Sequence, residues 1–370
     1  MDLTIPRIAV VGAGGYGLHH RRDIEARRRE GRVELVALCD TAEIVESESA
    51  PIGAAAVYED YERMLDEVEP HIVVVATPPP THLPIASAAM RRGSDVYLEK
   101  PPVSSMEEYR RLYEIMVETG RAVQVGFQAL GSHAIGALRD ALDAGRLGEL
   151  ESVGVAGSWQ RPDSYYRRSP WAGKRELDGA VVADGALANP FAHASQQALA
   201  IAGDWPLDGG IELERLRCRD GIEVDDTAVW RGRNKGGVSV TVAVTLCGER
   251  KLEGDVWIKG SRGEAWLEYP TDRLRLPGED EPKQYGRTNL LDNLILHRQR
   301  GVGLISSLRR ARTFTGVLER ILNDATPRLV DPAHIERVGD DPVSILRGAD
   351  TAVERAAREA ALFSELGLPW

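Results

Sequence analysis

The chain has 370 residues, of which 43% are hydrophobic and 28% are charged, a balance typical of a soluble globular protein with room for two domains. Its formal net charge of -11 argues against nucleic acid and anionic membranes as partners, because neither attracts an acidic surface. The cysteines Cys39, Cys218 and Cys247 lie far apart and form no CxxC pair, so the sequence suggests neither a disulfide framework nor a zinc site.

The ends and apolar stretches of the chain bear on its location. No apolar stretch approaches the roughly 20 residues of a membrane-spanning helix. The N-terminus MDLTIPRIAVVG passes within a few residues into a strand-like segment and leaves no room for a signal peptide. Together with a cysteine pattern that favours a reducing compartment, this predicts a cytoplasmic protein without a membrane partner.

Short β-rich runs alternate with helix-length segments over the first third of the chain. The runs are RIAVVG at 7–12, VELVALC at 33–39, HIVVVAT at 71–77, DVYLE at 95–99 and AVQVGF at 122–127. Strands separated by crossover helices build a parallel sheet with helices on both faces. The pattern predicts an α/β fold that begins with a doubly wound, Rossmann-type domain over residues 1–128.

The first run leads directly into the glycine-rich segment GAGGYG. Gly12, Gly14 and Gly17 have the GxGxxG spacing of a dinucleotide-binding turn, where glycines permit a tight turn and let the backbone approach a pyrophosphate. Gly15 and Tyr16 complete the predicted cofactor loop. A tight glycine turn that binds no nucleotide is the alternative.

Asp40 closes the second run, near the position where a carboxylate would hold the ribose hydroxyls of a dinucleotide. The stretch that follows, TAEIVESESA, carries three glutamates and no basic residue. A 2′-phosphate would meet like charge there, so NAD is favoured over NADP. An arginine from elsewhere in the fold could still reach this loop.

Lysine is rare in this chain, and one lysine stands at the end of a predicted strand. Of 46 basic residues only six are lysine. Lys100 follows DVYLE, at an edge where open parallel sheets bind ligands. Unlike arginine, lysine can lose its proton. A partly buried site beside the cationic nicotinamide ring of NAD would lower the pKa of Lys100 from about 10.4 toward the 7 to 8 of a general base. A strand-end surface lysine is the alternative.

Four motifs, taken in order, resemble those of the Gfo/Idh/MocA family of oxidoreductases. They are GAGGYGLHH with His20, ATPPPTH with His82, the EKP triplet around Lys100, and VGFQ with Gln128. The resemblance implies a dinucleotide-binding domain followed by an α/β domain with a large open sheet, through which homodimers or homotetramers form. It also implies sugar, inositol or related polyol substrates.

The same resemblance implies roles for particular residues. Lys100 would contact the reacting hydroxyl and the nicotinamide ribose, while Glu99 and Pro101 shape its turn. Further cofactor contacts are expected at the turns after the later strands, from Thr77, Pro78, His82, Glu99, Lys100 and Gln128. His20 is expected to be structural or cofactor-adjacent.

After about residue 150 longer strand-like runs replace the alternating pattern. ESVGVAGSW leads through an aromatic loop into an alanine-rich helix that ends near Gly203, and strand-like runs follow without helices between them. This predicts a second domain over residues 129–370 with a large, mostly antiparallel sheet. In VSVTVAVTL the valines mark a core face, and the small residues opposite are expected to face another subunit. A closing helix is predicted over about 342–366.

The second domain departs from the family pattern DxGxH, because DGALA places Asp184 at the aspartate but Ala188 at the histidine. Asn189 and His193 are four residues apart and would share one face of a helix, so His193 could replace the missing acid–base group. The alternatives are a helix N-cap for Asn189, which precedes a proline, and a core histidine for His193.

An aromatic and basic loop lies just before this stretch. Tyr165, Tyr166, Arg168 and Trp171 offer ring faces and fork donors that suit a sugar. The candidate substrate-binding residues are Tyr166, Arg168, Trp171 and Asn189. An ordinary exposed loop is the alternative. No His/Asp/Glu cluster has metal-ligand spacing, so no metal is expected.

Together these features predict an NAD-dependent oxidoreductase acting on a hydroxyl or keto carbon of a sugar, inositol or related polyol. Lys100 is the predicted proton acceptor, aided by Asp184 and His193. One alternative is a glycosidase or lyase that oxidises its substrate transiently, eliminates a group and reduces the product again. The other is a non-catalytic nucleotide-binding regulator of the same fold. The missing histidine motivates both.

Overall fold

The computed structural model describes residues 4–182, 184–203 and 210–370. Strands and helices alternate at the start of the chain, and long strands dominate after residue 150. The strands are β1 (Arg7–Val11), β2 (Glu34–Cys39), β3 (Ala56–Tyr58), β4 (Ile72–Val75), β5 (Asp95–Leu98), β6 (Val123–Val125), β7 (Leu150–Gln160), β8 (Glu176–Leu177), β9 (Ala180–Val181), β10 (Glu212–Arg217), β11 (Thr227–Arg233), β12 (Ser239–Thr245), β13 (Cys247–Gly260), β14 (Gly263–Glu268), β15 (Arg273–Arg275), β16 (Lys283–Gln284), β17 (Arg328–Leu329), β18 (Ile335–Val338) and β19 (Val343–Leu346). The α-helices are α1 (Gly17–Arg29), α2 (Tyr61–Val68), α3 (His82–Arg91), α4 (Met106–Thr119), α5 (His133–Asp143), α6 (Asp163–Arg167), α7 (Ala192–Ala202), α8 (Leu290–Arg300), α9 (Arg312–Leu322) and α10 (Ala349–Glu359).

The described chain divides into two compact units. The first contains the residues through Phe127 together with Asn289–Thr315, and the second contains Gln128–Thr288 and Gly316–Trp370. The sequence-based boundary after residue 128 assigned 289–315 to the second domain, whereas the structure assigns it to the first unit. The reason lies in α8, whose apolar residues are buried in the same cluster as those of β1 and β4.

The first unit is built on a parallel sheet. Its strand order is β3-β2-β1-β4-β5-β6, and each neighbouring pair is parallel. The strand β4 is fully buried, as expected of a parallel strand covered on both faces. This is the strand order of a Rossmann fold, which confirms the predicted fold class. The order reverses between β1 and β4, where such sheets bind ligands beyond the strand ends.

The second unit is built on a mixed sheet of strand order β16-β15-β14-β13-β7-β12-β11-β10-β17. The pairs β7–β12 and β10–β17 are parallel, and the other neighbouring pairs are antiparallel. This confirms the predicted mostly antiparallel sheet. Within the described ranges, none of the helices has the length and apolar character needed to cross a lipid bilayer.

Two expectations about the second unit are wrong. The predicted closing helix over 342–366 begins instead with the strand β19, and Gly348, with a φ of +79°, separates that strand from the shorter helix α10. The small residues of β12 were expected to face another subunit. Instead, Ala243 on this face packs in one cluster with residues of α10 of the same chain. A Cβ at Gly154 of β7 would lie 2.0 Å from the carbonyl oxygen of Ala357, so glycine permits this close packing.

Candidate active site

The glycine loop after β1 has two positions that only glycine can occupy. Gly12 has a φ of +81°, and a Cβ there would lie 2.7 Å from the carbonyl carbon of Ala76. A Cβ at Gly17 would lie 1.8 Å from the carbonyl oxygen of Gly12. The helix α1 begins at Gly17 with no acidic residue in its first turn, so its positive end suits a phosphate. The loop therefore fits a dinucleotide pyrophosphate, with Gly15 and Tyr16 exposed at its tip.

Asp40, at the end of β2, is held against this loop. Its Oδ2 accepts the backbone N–H of Gly14 at 2.8 Å, and its Oδ1 accepts the backbone N–H of Ala42 at 3.0 Å. Each carboxylate oxygen keeps further acceptor capacity. Asp40 is therefore both oriented by the backbone and able to accept hydrogen bonds from the hydroxyls of a ribose.

One arginine does reach the loop after β2, and sequence reasoning did not name it. Arg21 of α1 is 1% exposed, and its guanidinium donates to the carbonyl oxygens of Val45, at 2.9 Å, and of Ala50. These two hydrogen bonds hold the loop after β2 in place, and the guanidinium of Arg21 stays buried. Arg21 is thus poorly placed to meet a 2′-phosphate.

Glu99 and Lys100 follow β5. The buried Glu99 carboxylate lies 2.9 Å from Nε2 of His20 through Oε1 and accepts the backbone N–H of Lys100 at 3.1 Å through Oε2. Burial alone would raise the pKa of Glu99, but the interactions with His20 and with the Lys100 charge outweigh it and lower that pKa below the ordinary value. Glu99 is therefore a buried anion directly behind the half-buried Lys100.

Gly126, at the end of β6, makes room for this carboxylate. A Cβ at Gly126 would lie 2.7 Å from Oε1 of Glu99. Sequence reasoning missed this residue, although a glycine directly after an apolar strand often marks a close approach of other groups. Any larger residue at this position would push Glu99 away from His20.

His82 connects the two turns on either side of the site in the first unit. Its Nε2 lies 2.8 Å from the carbonyl oxygen of Thr77, and its Nδ1 lies 2.9 Å from that of Pro101. The imidazole is 1% exposed, and burial lowers its pKa. We infer that His82 positions the Thr77–Pro78 turn and the turn after Lys100 rather than contacting a cofactor itself.

In the second unit, Asp184 organises the loop around it. Its buried carboxylate accepts hydrogen bonds from the Tyr165 hydroxyl at 2.8 Å, from the Asn189 amide at 2.8 Å and from the Gly173 backbone N–H at 3.0 Å. The Arg161 guanidinium lies 3.5 Å away. With so many donors around it, we infer that Asp184 is a positioning residue rather than an acid or base.

The prediction that Asn189 and His193 share one face of a helix is wrong. The helix α7 begins at Ala192, so Asn189 precedes it, and Asn189 does not act as the N-cap either, because that position is Phe191. The amide of Asn189 is instead bound to Asp184. His193 is half-buried in the first turn of α7. Gln197 is buried and donates to the carbonyl oxygen of Ala129 at 3.1 Å.

The aromatic loop is ordered by stacked arginines. The Tyr165 ring lies between the guanidinium groups of Arg161, at 3.9 Å, and Arg168, at 3.8 Å. Arg168 also lies 4.9 Å from the ring of Trp171. The sequence-based list of candidate substrate-binding residues contains Tyr166 but not Tyr165, yet Tyr165 is the tyrosine that bonds Asp184. Burial, together with Asp184, raises the pKa of Tyr165, which keeps its hydroxyl a donor.

A further buried aspartate shapes the segment where the family histidine is absent, and sequence reasoning missed it. Asp225 accepts the backbone N–H of Leu187 at 3.2 Å and the Nε–H of Arg215 at 2.9 Å. A Cβ at Gly185 would lie 2.7 Å from its Oδ1. Ala188, which stands in the histidine position, is 3% exposed. The remaining candidate, Gln128, is half-buried at the start of the second unit.

Two family profiles match this chain. Residues 6–127 match the profile described as the oxidoreductase family, NAD-binding Rossmann fold, and residues 135–266 match the profile described as the GFO/IDH/MocA C-terminal domain. The chain belongs to the Gfo/Idh/MocA family. Together the matches cover more than half of the chain and include one profile in each unit. The expected family membership and the NAD-binding Rossmann domain are thereby confirmed.

Several curated proteins are similar to part of this chain. Inositol 2-dehydrogenase of Rubrobacter xylanophilus is 32% identical over 142 residues, which are 38% of this chain and 40% of that protein. Inositol 2-dehydrogenase 4 of Saccharopolyspora erythraea is 36% identical over 144 residues, which are 38% of this chain and 42% of that protein. The chain thus spans less than half of the length of these curated relatives.

A solved structure extends the similarity over nearly the whole chain. It is the WlbA dehydrogenase from Bordetella pertussis in complex with NADH and UDP-GlcNAcA. The TM-score is 0.71 at 23% sequence identity, over 89% of this chain and all of that one (100%). At this identity the likeness establishes a shared fold.

Proposed function

We propose that this Gfo/Idh/MocA protein is an NAD-dependent oxidoreductase that transfers a hydride between nicotinamide and a hydroxyl or keto carbon of a sugar, inositol or related polyol. One observation carries the proposal: Lys100 stands at the carboxyl end of β5, next to the buried carboxylate of Glu99 that His20 holds. The activities named for the two curated relatives, and the NADH bound in WlbA, support the same chemistry.

The cofactor would be held by the first unit. Backbone N–H groups of the glycine loop and the start of α1 would bind the pyrophosphate, and Asp40 would accept hydrogen bonds from the ribose hydroxyls. NAD is preferred over NADP because the loop after Asp40 is acidic and Arg21 is buried beneath it. When bound, the nicotinamide ring accepts or returns a hydride.

Lys100 would move the proton that accompanies this hydride. In oxidation, the neutral Lys100 amine would accept the O–H proton, while the carbinol hydrogen would leave with both bonding electrons as the hydride that a bound nicotinamide takes up. A carbonyl remains on the substrate, and Lys100 later releases the proton to water. A positioned base of this kind is worth about 10²- to 10⁴-fold in rate. Glu99 and His82 would fix the backbone on either side of Lys100.

In the second unit, we assign substrate contacts to the aromatic loop. Arg168 and Trp171 present a guanidinium fork and an indole face that suit sugar or cyclitol hydroxyls. Asp184 and Tyr165 would hold that loop in shape. His193 remains the proposed second acid–base group, since Ala188 cannot serve, and Asn189 and Tyr166 remain proposed substrate-binding residues.

Location and assembly are part of the proposal. The three cysteines are free and buried, which is compatible with the reducing cytoplasm. The family resemblance supports a homodimer or homotetramer formed through the C-terminal sheet. Because α10 covers β12, such an interface would use other strands of that sheet. Light scattering of the purified protein gives the subunit number; a monomer at micromolar concentration would refute the assembly.

The function is tested by incubating the protein with NAD and a panel of sugars and inositols while following NADH absorbance and product masses. Equal amounts of NADH and of a product two hydrogen atoms lighter support the proposal. An eliminated or hydrolysed product without net NADH would instead identify a lyase or glycosidase that works by transient oxidation. Ala188, which stands in the position of the family histidine, is the reason for testing this alternative. Binding of NAD without any product across the panel would favour a regulator.

A further inference from the structure

Two of the three cysteines and a buried aspartate meet at one end of the second sheet. Cys218 follows β10, Asp226 precedes β11, and Cys247 opens β13. One carboxylate oxygen and the two Sγ atoms all lie within 4.8 Å of one another. Cys218 is 7% exposed, and the other two residues are fully buried (0%). The residues are distant in sequence, so only the strand pairing reveals the cluster.

The cluster buries one carboxylate and two thiols together, which are donor groups that a zinc ion can bind. A buried carboxylate must be compensated by charge or hydrogen bonds. Asp226 accepts the backbone N–H of Cys218 through both oxygens, at 2.8 and 3.0 Å. The two Sγ atoms lie within 4.8 Å of one carboxylate oxygen, and thiols are weak donors when neutral but strong metal ligands when deprotonated.

We propose that Cys218, Asp226 and Cys247 bind one zinc ion. Thiolates select zinc over the hard cations calcium and magnesium. Zinc takes sulfur at about 2.3 Å and carboxylate oxygen at about 2.0–2.2 Å. Ligand atoms on such a tetrahedron lie roughly 3.3–3.8 Å apart, a spacing that the observed cluster reaches with small side-chain movements. Binding releases two thiol protons and leaves two thiolates and one carboxylate around the divalent ion.

Neighbouring groups suit such a centre. Thr227 Oγ1 lies 4.0 Å from Cys218 Sγ and 2.8 Å from Thr245 Oγ1, so a hydroxyl stands near the position of a fourth ligand. The N–H bonds from Cys218 to Asp226 orient the carboxylate, as hydrogen bonds around metal ligands commonly do. The two thiolates, the carboxylate and the ion sum to one negative charge beside the buried Arg219, which also pairs with Asp163, while Arg337 pairs with the other oxygen of Asp163.

Arg219 also connects the cluster to the aromatic loop. It donates to the carbonyl oxygen of Arg161 at 2.6 Å, and its guanidinium lies 4.9 Å from the ring of Tyr166. Arg161 in turn lies 3.5 Å from Asp184. The zinc would therefore brace this loop from beneath, as a structural ion in a closed site. The inference does not depend on the proposed function.

Metal analysis of the full-length protein, purified in reductant without a metal-affinity column, tests the inference. We expect about one zinc per chain, close to none in Cys218→Ser and Cys247→Ser, and the wild-type amount in Cys39→Ser, a buried cysteine outside the cluster. Wild-type protein stripped by chelator should take up about one Co²⁺ and show a thiolate-to-cobalt charge-transfer band in the near ultraviolet.

Two results would overturn the zinc site. One is less than about 0.1 zinc per chain together with no charge-transfer band after cobalt is added to the stripped, reduced protein. The other is an unchanged zinc content in the double variant Cys218→Ser/Cys247→Ser with native circular dichroism. Because the cobalt measurement uses the wild-type chain, misfolding of a cysteine variant does not prevent a decision.

Discussion

The carboxylate of Glu99 lies 2.9 Å from Nε2 of His20, and both side chains are buried. His20 belongs to α1, the helix that begins in the glycine loop, and Glu99 directly precedes Lys100. One interaction therefore joins the nucleotide-binding helix to the proposed catalytic turn. A buried acid that looks like a second catalytic group is better understood as the support that holds the turn in place.

Glu99→Gln should weaken the interaction with His20 while keeping the size and shape of the side chain. We expect the free energy of unfolding to fall by about 1–3 kcal/mol at pH 7, because a charged partner of His20 is lost. The folded-state pKa of Glu99 lies below its ordinary value of 4.5, so its stabilisation is present above that pH and is lost as the pH falls through the folded value. Urea unfolding at pH 7 and near pH 4 measures the difference between variant and wild type.

The exposed Glu118→Gln is the matched control for this comparison. It should leave stability within about 0.5 kcal/mol of wild type at both pH values. A stability deficit of Glu99→Gln that stays constant down to pH 4 would contradict the assignment of Glu99 as an ionised, buried partner.

Asp40→Ser should shift the cofactor preference. Loss of the carboxylate removes the acceptor for the ribose hydroxyls and lowers negative charge beside a 2′-phosphate. We expect NADH affinity to fall about 10- to 100-fold, or about 1.4–2.8 kcal/mol, with a much smaller change for NADPH. Fluorescence titration with each nucleotide measures both. Glu114→Gln, an exposed acid outside this loop, serves as control. Equal losses for the two nucleotides in Asp40→Ser would refute this role.

Tyr165→Phe tests the loop around Asp184. The variant keeps the ring between Arg161 and Arg168 but removes the hydrogen bond to the carboxylate. We expect kcat/KM for the polyol to fall about tenfold, the value of one such bond, while NADH affinity is unchanged. Tyr285→Phe, in another loop of the second unit, should retain wild-type kinetics. A Tyr165→Phe enzyme with unchanged kcat/KM would show that the hydroxyl is dispensable.

Asp255→Asn should stabilise the protein at alkaline pH. Asp255 lies opposite Glu268 in the β13–β14 pair, and burial, reinforced by that carboxylate, raises the pKa of Asp255 to about 6. A raised acid pKa penalises the ionised folded state, so the penalty is full above about pH 6 and disappears as the pH falls below the ordinary value of 3.8.

We therefore expect Asp255→Asn to raise the free energy of unfolding by about 1 kcal/mol at pH 8, allowing for the partial exposure of the group. The gain should vanish near pH 4. Thermal unfolding at both pH values measures it, with the exposed Asp280→Asn as control. A gain that is larger at pH 4 than at pH 8 would reverse the predicted sign.

The first unit was largely predictable because its signals are local. The glycine loop, Asp40 and Lys100 each directly follow an apolar strand, and strand order then brings them to one edge of the sheet. Two features were missed because their signals are weak or distant. The strand β3 has three residues, and α8 joins this unit from residue 290 onward.

The second unit was less predictable because side-chain contacts override local propensity. The carboxylate of Asp184 binds the amide of Asn189, and the helix expected to include that residue starts only at Ala192. Tyr165 and Tyr166 are adjacent residues of the same type, so the sequence alone does not show which of them bonds Asp184. The cysteine–aspartate cluster likewise arises from pairing between distant strands.

The central claim is that the Lys100 amine accepts the hydroxyl proton. Arginine keeps the charge at this position but does not give up its proton, and alanine removes the group. Turnover of the polyol identified in the panel, measured with NADH binding by fluorescence, tests the claim in Lys100→Arg, Lys100→Ala and the exposed control Lys251→Arg. The account predicts at least about 10²-fold loss of kcat in both Lys100 variants, with NADH affinity retained and the control unaffected. A Lys100→Arg enzyme that turns over at the wild-type rate would contradict it.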